Sequence, residues 1–211
     1  MPDQFIRADY HLICDRLAAV DADLANVMAV YGYPPMWTRP NTFESLVHII
    51  LEQQVSLASA LATLNKLKEK IQQITPANLL MLSDEELRGC YFSRQKTAYV
   101  RYLAEAIVSG QIDLAALELS ENDVIRKELT SLKGIGNWTV DIYLMFTLQR
   151  KDIFPIGDLA AVSALKKVKS LEASVTREAM VSITEQWKPY RTIACMILWH
   201  AYLSSRNPKA V

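Results

Sequence analysis

Apolar residues recur at three- and four-residue intervals along almost the whole chain, which is the spacing of an amphipathic α-helix. Residues 5–31 carry this pattern in two stretches that separate near Asp21–Asp23, and another long stretch runs over residues 43–71. Residues 32–40 contain three prolines and cannot form a regular helix. No segment alternates usefully between apolar and polar residues with a period of two. The pattern therefore predicts an all-α protein of roughly nine to eleven helices.

Short polar residues mark where several of these helices begin. Asn41 and Ser83 are each followed three residues later by a glutamate, which is the spacing of a capping box. Gly110 is expected to end one helix, and Pro189 to begin the last one. The predicted N-terminal caps are Asn41, Ser83, Ser93, Ser120, Asp158 and Thr176.

Composition sets bounds on the function. The 211 residues are 51% hydrophobic and carry no formal net charge. This argues against nucleic-acid binding driven by the net charge of the whole protein, but it is compatible with binding through a local basic surface. The cysteines, Cys14, Cys90 and Cys195, are too far apart in sequence for a paired disulfide framework or a metal motif, and we expect buried, reduced thiols. The chain shows neither a signal peptide nor an apolar run of about 18 residues, which predicts a cytoplasmic protein.

Two motifs carry candidate chemistry. Residues 132–141 read Leu-Lys-Gly-Ile-Gly-Asn-Trp-Thr-Val-Asp, so two glycines open a helical stretch, and the backbone N–H groups of such a turn can bind an anion. A Gly-x-Gly turn alone is weak evidence, because tight turns use glycine in many contexts. Asp158 follows a Pro-Ile-Gly segment, where its propensity alone favours a helix cap. A capped carboxylate is also held in one orientation, so capping and catalysis are compatible.

Three passages together resemble the helix-hairpin-helix DNA glycosylase superfamily, and within it the 3-methyladenine DNA glycosylase II branch. They are residues 50–56, residues 132–141, and residues 187–191 with Trp199 beyond them. The resemblance covers about residues 41–205. It implies an all-α fold of two helical subdomains, with DNA bound in the cleft between them and the damaged base flipped inward. The larger bacterial members carry an N-terminal β domain, and this chain is similar to the compact form without it.

The domain division follows from the same resemblance. Residues 42–150 are expected to form a central helical bundle that includes the helix-hairpin-helix at about residues 122–148. Residues 1–41 and 151–211 are expected to form the second subdomain, which carries the catalytic aspartate.

The resemblance also implies roles for individual residues. Asp158 corresponds to the catalytic aspartate, and the base pocket is expected to contain Trp199, Trp138 and Tyr143. The expected DNA-binding residues are Lys133, Gly134, Ile135, Gly136, Asn137, Thr139, Gln53 and Gln54. Gln54 is the candidate for the side chain that fills the gap left by the flipped nucleotide, and an exposed amide without function is the alternative. Family members often hold a monovalent cation at the hairpin backbone, and no structural metal is expected.

Position 138 separates two branches of this superfamily. Bifunctional members carry a lysine two residues after the second hairpin glycine, and its amine forms a Schiff base with the sugar. This chain has Trp138 there, and no cysteine follows Cys195 to build the iron–sulfur motif of endonuclease III. The expectation is a monofunctional enzyme without cofactor or iron–sulfur cluster. A bifunctional glycosylase/AP lyase and a non-catalytic helix-hairpin-helix DNA-binding module are the alternatives.

The expected reaction is hydrolysis of the N-glycosidic bond of alkylated purines of the 3-methyladenine and 7-methylguanine type. Such a base already carries positive charge and leaves as a neutral molecule, so a fixed carboxylate that stabilises the cationic sugar is sufficient. Electron-rich aromatic faces attract the cationic base. The expected partner is double-stranded DNA containing alkylated bases, bound by a monomer associated with the nucleoid and not with a membrane.

Overall fold

The computed structural model describes residues 3–206, which contain thirteen α-helices. Between residues 3 and 206, pairing of the β type is limited to one isolated bridge between Gln4 and Arg150. The all-α prediction is confirmed. In chain order the helices are α1 Arg7–Val20, α2 Ala22–Tyr31, α3 Phe43–Glu52, α4 Leu57–Ile71, α5 Pro76–Leu80, α6 Asp84–Gly89, α7 Arg94–Val108, α8 Leu114–Leu119, α9 Asn122–Thr130, α10 Asn137–Ile142, α11 Leu159–Val168, α12 Arg177–Thr184 and α13 Arg191–Arg206.

Two short helical turns of other types complete the described chain. A π-helix, Tyr143–Thr147, continues α10, and a 3₁₀ turn, Glu185–Trp187, follows α12. The predicted number of nine to eleven helices is smaller than the thirteen observed in the described residues. Helices α5, α6 and α8 have only five or six residues each, which is too short to give a recognisable apolar periodicity. In the described part of the chain, no helix has the length and apolar character needed to cross a membrane.

The described chain forms two compact units. The first comprises residues 39–143, and the second comprises residues 3–38 together with residues 144–206. The sequence analysis places these boundaries at residues 42 and 150. Residues 144–150 therefore belong to the second unit and not to the central bundle.

Helix α3 is the centre of the first unit. Eight of its ten residues are buried, and it packs against α4, α7 and α10. The 43–71 pattern, which reads as one long stretch in the sequence, is two helices, α3 and α4, separated by a turn at residues 53–56. Gln54 in that turn has a positive φ of 58°, so the helical path cannot continue through it.

Helix α13 is the centre of the second unit. Eleven of its sixteen residues are buried, and it packs against α1, α2 and α11. A helix that is apolar on most of its circumference needs neighbours on several sides, which explains this central position.

Caps at Ser83, Ser93, Asp158 and Thr176 are confirmed, whereas two other predicted caps are wrong. Thr42, not Asn41, caps α3, where its Oγ1 accepts a hydrogen bond from the Ser45 N–H at 3.3 Å. Asn41 instead donates from Nδ2 to the Leu114 carbonyl at 2.8 Å. Ser120 ends α8, and its hydroxyl donates to the Ala116 carbonyl. The last helix begins at Arg191, two residues after Pro189.

A buried carboxylate connects three segments of the second unit. Asp21 caps α2 through Oδ1, and its carboxylate also accepts hydrogen bonds from Lys169 Nζ and from Trp187 Nε1, each at 2.7 Å. Lys169 is the C-cap of α11, and Trp187 ends the 3₁₀ turn. Burial disfavours the charged form of Asp21, but the hydrogen bonds from Lys169 and Trp187 outweigh it and hold the pKa of Asp21 below its usual value.

We predict that Asp21→Asn lowers the free energy of unfolding by about 3 kcal/mol at pH 7, because it removes the buried anion of the Lys169 ammonium and leaves only the more exposed Asp23, at 2.9 Å, to pair with it. The native pKa of Asp21 lies below the unfolded value of about 3.9, so its stabilisation is present above that pH. The stabilisation is lost as the pH falls through the native pKa. Urea unfolding of both proteins at pH 7 and at about pH 3 should therefore show a smaller difference in acid.

The exposed Glu128 offers a matched control, and Glu128→Gln should leave the unfolding free energy nearly unchanged at both pH values. An effect of Asp21→Asn that is equally large at pH 7 and pH 3 would contradict the electrostatic account.

Candidate functional site

Asp158 lies at the N-terminus of α11, and two donors fix the position of its carboxylate. Oδ1 accepts from the backbone N–H of Ala161 at 2.7 Å and from Trp199 Nε1 at 3.0 Å. The Asp158 N–H donates to the Pro155 carbonyl at 2.7 Å, which closes the preceding turn. Both donors bind the same carboxylate oxygen and restrict the rotation of the side chain. The second unit therefore holds a half-buried carboxylate in one orientation.

An aromatic cluster lies beside this carboxylate within the second unit. The Trp199 ring, which donates to Asp158, stacks on Phe146 with ring centroids 5.2 Å apart. Phe146 in turn meets the edge of Trp37 at 6.5 Å. Trp199 and Phe146 are 8% and 9% exposed, so the cluster is largely shielded from water. It combines electron-rich rings with a fixed negative charge.

Sequence reasoning singles out Trp199 and misses Phe146. Phe146 stands in an apolar run that reads as ordinary core, but it lies in the π-helix Tyr143–Thr147. A π-turn inserts one extra residue, so the side chains that follow it are rotated relative to the α-helical register of α10. Such insertions are frequent at functional sites, and the dense apolar run itself was the only signal available in the sequence.

The predicted helix-hairpin-helix occupies the first unit as α9, a turn over residues 131–136, and α10. Gly134 has a φ of +92°, which favours glycine, and the Ile135 N–H donates to the Leu132 carbonyl at 3.1 Å. The Ile135 N–H is thus used inside the turn and its side chain is buried, so the geometry lends no support to a DNA contact by Ile135. Gly136 is the N-cap of α10, and having no side chain it leaves the start of that helix uncovered.

The two hairpin glycines differ in what surrounds them. A Cβ built on Gly134 would lie 2.0 to 2.4 Å from ring atoms of Tyr99, far inside van der Waals contact. A Cβ built on Gly136 would meet no atom within 4 Å. Gly134 is required by packing and by its backbone conformation, whereas Gly136 leaves open space at the surface.

Arg126 ties the two helices of the hairpin together. Its Nη2 donates to Asp141 Oδ1 at 2.6 Å, and its Nη1 donates to Asn137 Oδ1 at 3.1 Å. One guanidinium thus connects α9 to both ends of α10. The side-chain oxygen of Asn137, predicted to contact DNA, is used in this internal contact.

The two adjacent glutamines of the α3–α4 turn are placed differently. Gln53 is half-buried, and its Nε2 donates to the Gly134 carbonyl and to Thr139 Oγ1, each at 2.9 Å. Thr139 is 1% exposed. Gln54 is exposed and has a positive φ. The Gln53 and Thr139 side chains are therefore engaged within the first unit, while Gln54 is accessible.

The remaining predicted site residues occupy three different environments. Lys133 is exposed beside the hairpin, with its Nζ 5.7 Å from the centre of the Tyr102 ring. Trp138 is half-buried in the first turn of α10. Tyr143 is fully buried and its hydroxyl donates to Asn41 Oδ1 at 2.7 Å, which supports a packing role, so its place in a base pocket stays a prediction.

In the region from residue 3 to residue 206, no group of three or more His, Cys, Asp or Glu side chains is arranged to hold a metal ion. Cys14, Cys90 and Cys195 are each buried as thiols that form no disulfide with one another. Burial raises the pKa of the Cys14 thiol to about 12, which keeps it protonated and unreactive at neutral pH.

Residues 47–189 match the family described as HhH-GPD superfamily base excision DNA repair protein. A Schizosaccharomyces pombe relative named DNA-3-methyladenine glycosylase 1 is 33% identical over 191 residues, which cover 87% of this chain and 83% of that protein.

Two solved structures have the same fold. A DNA-3-methyladenine glycosidase from Bacillus halodurans is 31% identical, with a TM-score of 0.78 over 92% of this chain and 90% of that chain. A 3-methyladenine DNA glycosylase from Schizosaccharomyces pombe, solved in complex with abasic DNA, is 28% identical. Its TM-score is 0.82 over 92% of this chain and 96% of that chain.

We predict that Gly134→Ala lowers the free energy of unfolding by about 2 kcal/mol or more, because it adds a clash with Tyr99 to an unfavourable φ. Gly136→Ala is the matched control, and it should change stability by less than about 1 kcal/mol because its Cβ meets open space. Urea unfolding measures both. Equal losses from the two substitutions would mean that the hairpin turn is not built as described.

Proposed function

The chain belongs to the HhH-GPD superfamily of base excision DNA repair proteins, and from that membership we propose that it is a monofunctional DNA glycosylase. Its proposed reaction is hydrolysis of the N-glycosidic bond of alkylated purines, such as 3-methyladenine and 7-methylguanine, flipped from duplex DNA. The names of the relatives support this substrate class. The abasic DNA bound by one of them is the kind of product that this hydrolysis leaves.

The oriented carboxylate of Asp158 is the observation that carries the proposal. Loss of a cationic base leaves positive charge on the sugar, and a carboxylate that is already fixed stabilises that charge without reorganisation. Ala161 and Trp199 both donate to Oδ1, so the orientation does not depend on the substrate. In this proposal the same carboxylate also orients the attacking water.

We propose that the aromatic cluster favours an alkylated base. Trp199 donates to Asp158 and stacks on Phe146, and electron-rich rings attract a cationic base more than its neutral counterpart. Trp138 and Tyr143 are retained as predicted pocket residues on the family resemblance alone. No acid is required for departure, because an alkylated purine leaves as a neutral molecule.

The hairpin of the first unit is the proposed contact with the DNA backbone. Gly136 leaves the N-terminal amides of α10 uncovered, and Lys133 adds a positive charge at the surface. A monovalent cation at the hairpin backbone remains a prediction from the family. Gln54 is proposed as the side chain that enters the duplex, because it is exposed and held in a left-handed conformation.

Trp138 supports a monofunctional enzyme. An indole has no primary amine and cannot form the Schiff base on which a lyase step depends. Four further expectations remain predictions. They are that the enzyme needs no cofactor, that it carries no iron–sulfur cluster, that it works as a monomer, and that it resides in the cytoplasm at the nucleoid.

We predict that Asp158→Asn reduces the release of free base from methylated duplex DNA by about 10²- to 10³-fold, the scale of losing a preorganised electrostatic group. Asparagine also caps helices well, so the unfolding free energy should change by about 1 kcal/mol or less. Affinity for a duplex containing an abasic site should be retained.

The outcomes separate the alternatives. A fully active Asp158→Asn enzyme would reduce Asp158 to a helix cap, and a wild-type protein that binds DNA but releases no base would favour the binding module. Covalent trapping of the wild type on abasic DNA by borohydride would favour the lyase.

We predict that Trp199→Phe lowers base release about tenfold, because it keeps a ring against Phe146 and removes the N–H that donates to Asp158. Trp199→Ala removes both and should lower it further. Single-turnover base release, together with binding to abasic duplex, measures the two effects. A Trp199→Phe enzyme as fast as the wild type would show that the hydrogen bond to Asp158 is dispensable.

A further inference from the structure

The end of α3 and the start of the turn that follows it are held by a different partner at each of three successive residues. The Leu51 carbonyl accepts a hydrogen bond from Lys96 Nζ. Glu52 accepts two bonds from Arg39, at 2.6 and 2.9 Å. Gln53 donates to the hairpin. The chain then turns at Gln54, whose left-handed conformation is unfavourable for a residue with a side chain and persists where the surroundings impose it.

The amide of Gln53 has one orientation that satisfies its partners. The Gly134 carbonyl can only accept, so the Gln53 nitrogen must face it. The second N–H of the same nitrogen reaches Thr139 Oγ1. One amide nitrogen therefore clamps the hairpin turn and the first turn of α10 to the residue that directly precedes Gln54.

This clamp joins two features that both meet DNA in the proposed function. Gly134 belongs to the turn that leads into α10, whose N-terminal amides are proposed to contact the DNA backbone, and Gln54 is the exposed side chain proposed to enter the duplex. The Tyr99 ring packs directly against Gly134 and limits its movement on that side. The Gln53 side chain is the contact through which a displacement of the hairpin turn would reach the residue next to Gln54.

We propose that Gln53 is a positioning residue that couples phosphate binding by the hairpin to insertion of Gln54, so that the duplex backbone sets how deep Gln54 enters. This inference rests on the proposed function. Without the Gln53 hydrogen bonds, the hairpin still binds DNA, but Gln54 loses its imposed conformation. The protein then no longer distinguishes a duplex with an abasic site from an intact duplex.

The test is a double-mutant cycle on discrimination between abasic and intact duplex, measured by equilibrium binding. Gln53→Met keeps the length of the side chain and removes both donors. We expect Gln54→Ala to reduce the abasic preference about tenfold in the wild-type background and less than about twofold in the Gln53→Met background. Independent roles would instead give the same loss in both backgrounds, which would overturn the proposal. It is also overturned if Gln54→Ala has no effect in the wild type.

A second measurement is the fluorescence of 2-aminopurine placed opposite the abasic site. This signal would not change if Gln53 only stabilised the fold. Insertion of Gln54 should disturb the stacking of the probe in the wild type, and Gln53→Met should abolish that signal while binding persists. An unchanged signal in Gln53→Met would contradict the coupling. Gln73→Glu, an exposed change in the same unit, is the control and should behave as the wild type.

Two further variants keep the test decisive if Gln53→Met does not fold. Thr139→Val removes one acceptor of the clamp while preserving shape, and it should weaken the coupling partly. Gln53→Glu places a carboxylate against the Gly134 carbonyl, and it should weaken the coupling strongly. Full coupling in both variants would overturn the proposal.

Wild-type base release is measured in parallel. Its absence would refute the proposed glycosylase even if the coupling of Gln53 and Gln54 were observed. Its presence without coupling would refute only the role of Gln53.

Discussion

A carboxylate holds each end of helix α11, and the candidate chemistry of the second unit depends on that constraint. Asp158 caps the first turn, while Asp21 binds Lys169 at the other end. The two carboxylates act at opposite ends of the helix dipole. Asp158 accepts from an amide at the positive end, and Lys169 supplies a cation at the negative end, where Asp21 in turn holds it. The orientation of Asp158 is fixed by the first turn of α11 and by Trp199 on α13, and the Lys169–Asp21 contact fixes the other end of the same helix.

The hairpin of the first unit depends on the same kind of constraint, applied to the backbone. Arg126 joins α9 to α10, Tyr99 packs against Gly134, and Gln53 holds the Gly134 carbonyl. Each contact uses a half-buried side chain to fix the turn or the helices beside it. A turn supported in this way can present amides to a ligand without reorganising when it binds.

Several elements follow from local sequence because local contacts determine them. Ser83, Ser93, Asp158 and Thr176 cap their helices through a backbone N–H three residues ahead, a range over which short motifs are informative. The prediction that Asn41 is a helix cap is wrong because its partner is distant in the chain. Its neighbour Thr42 takes the capping role, and Asn41 bonds to Leu114, which is 73 residues away in the chain.

The sequence by itself determined the all-α class, the helix starts at Ser83, Ser93, Asp158 and Thr176, the Gly-x-Gly hairpin and the candidacy of Asp158, because periodicity, capping and turn chemistry act over a few residues. Only the tertiary structure decided that Trp199 donates to Asp158, that Phe146 stacks on Trp199, and that Gln53 bonds the hairpin rather than presenting itself at the surface. The partners in these contacts are 41, 53 and 81 residues apart. Nothing in a local pattern specifies which distant residue a side chain meets, because that choice is made by the packing of the helices between them.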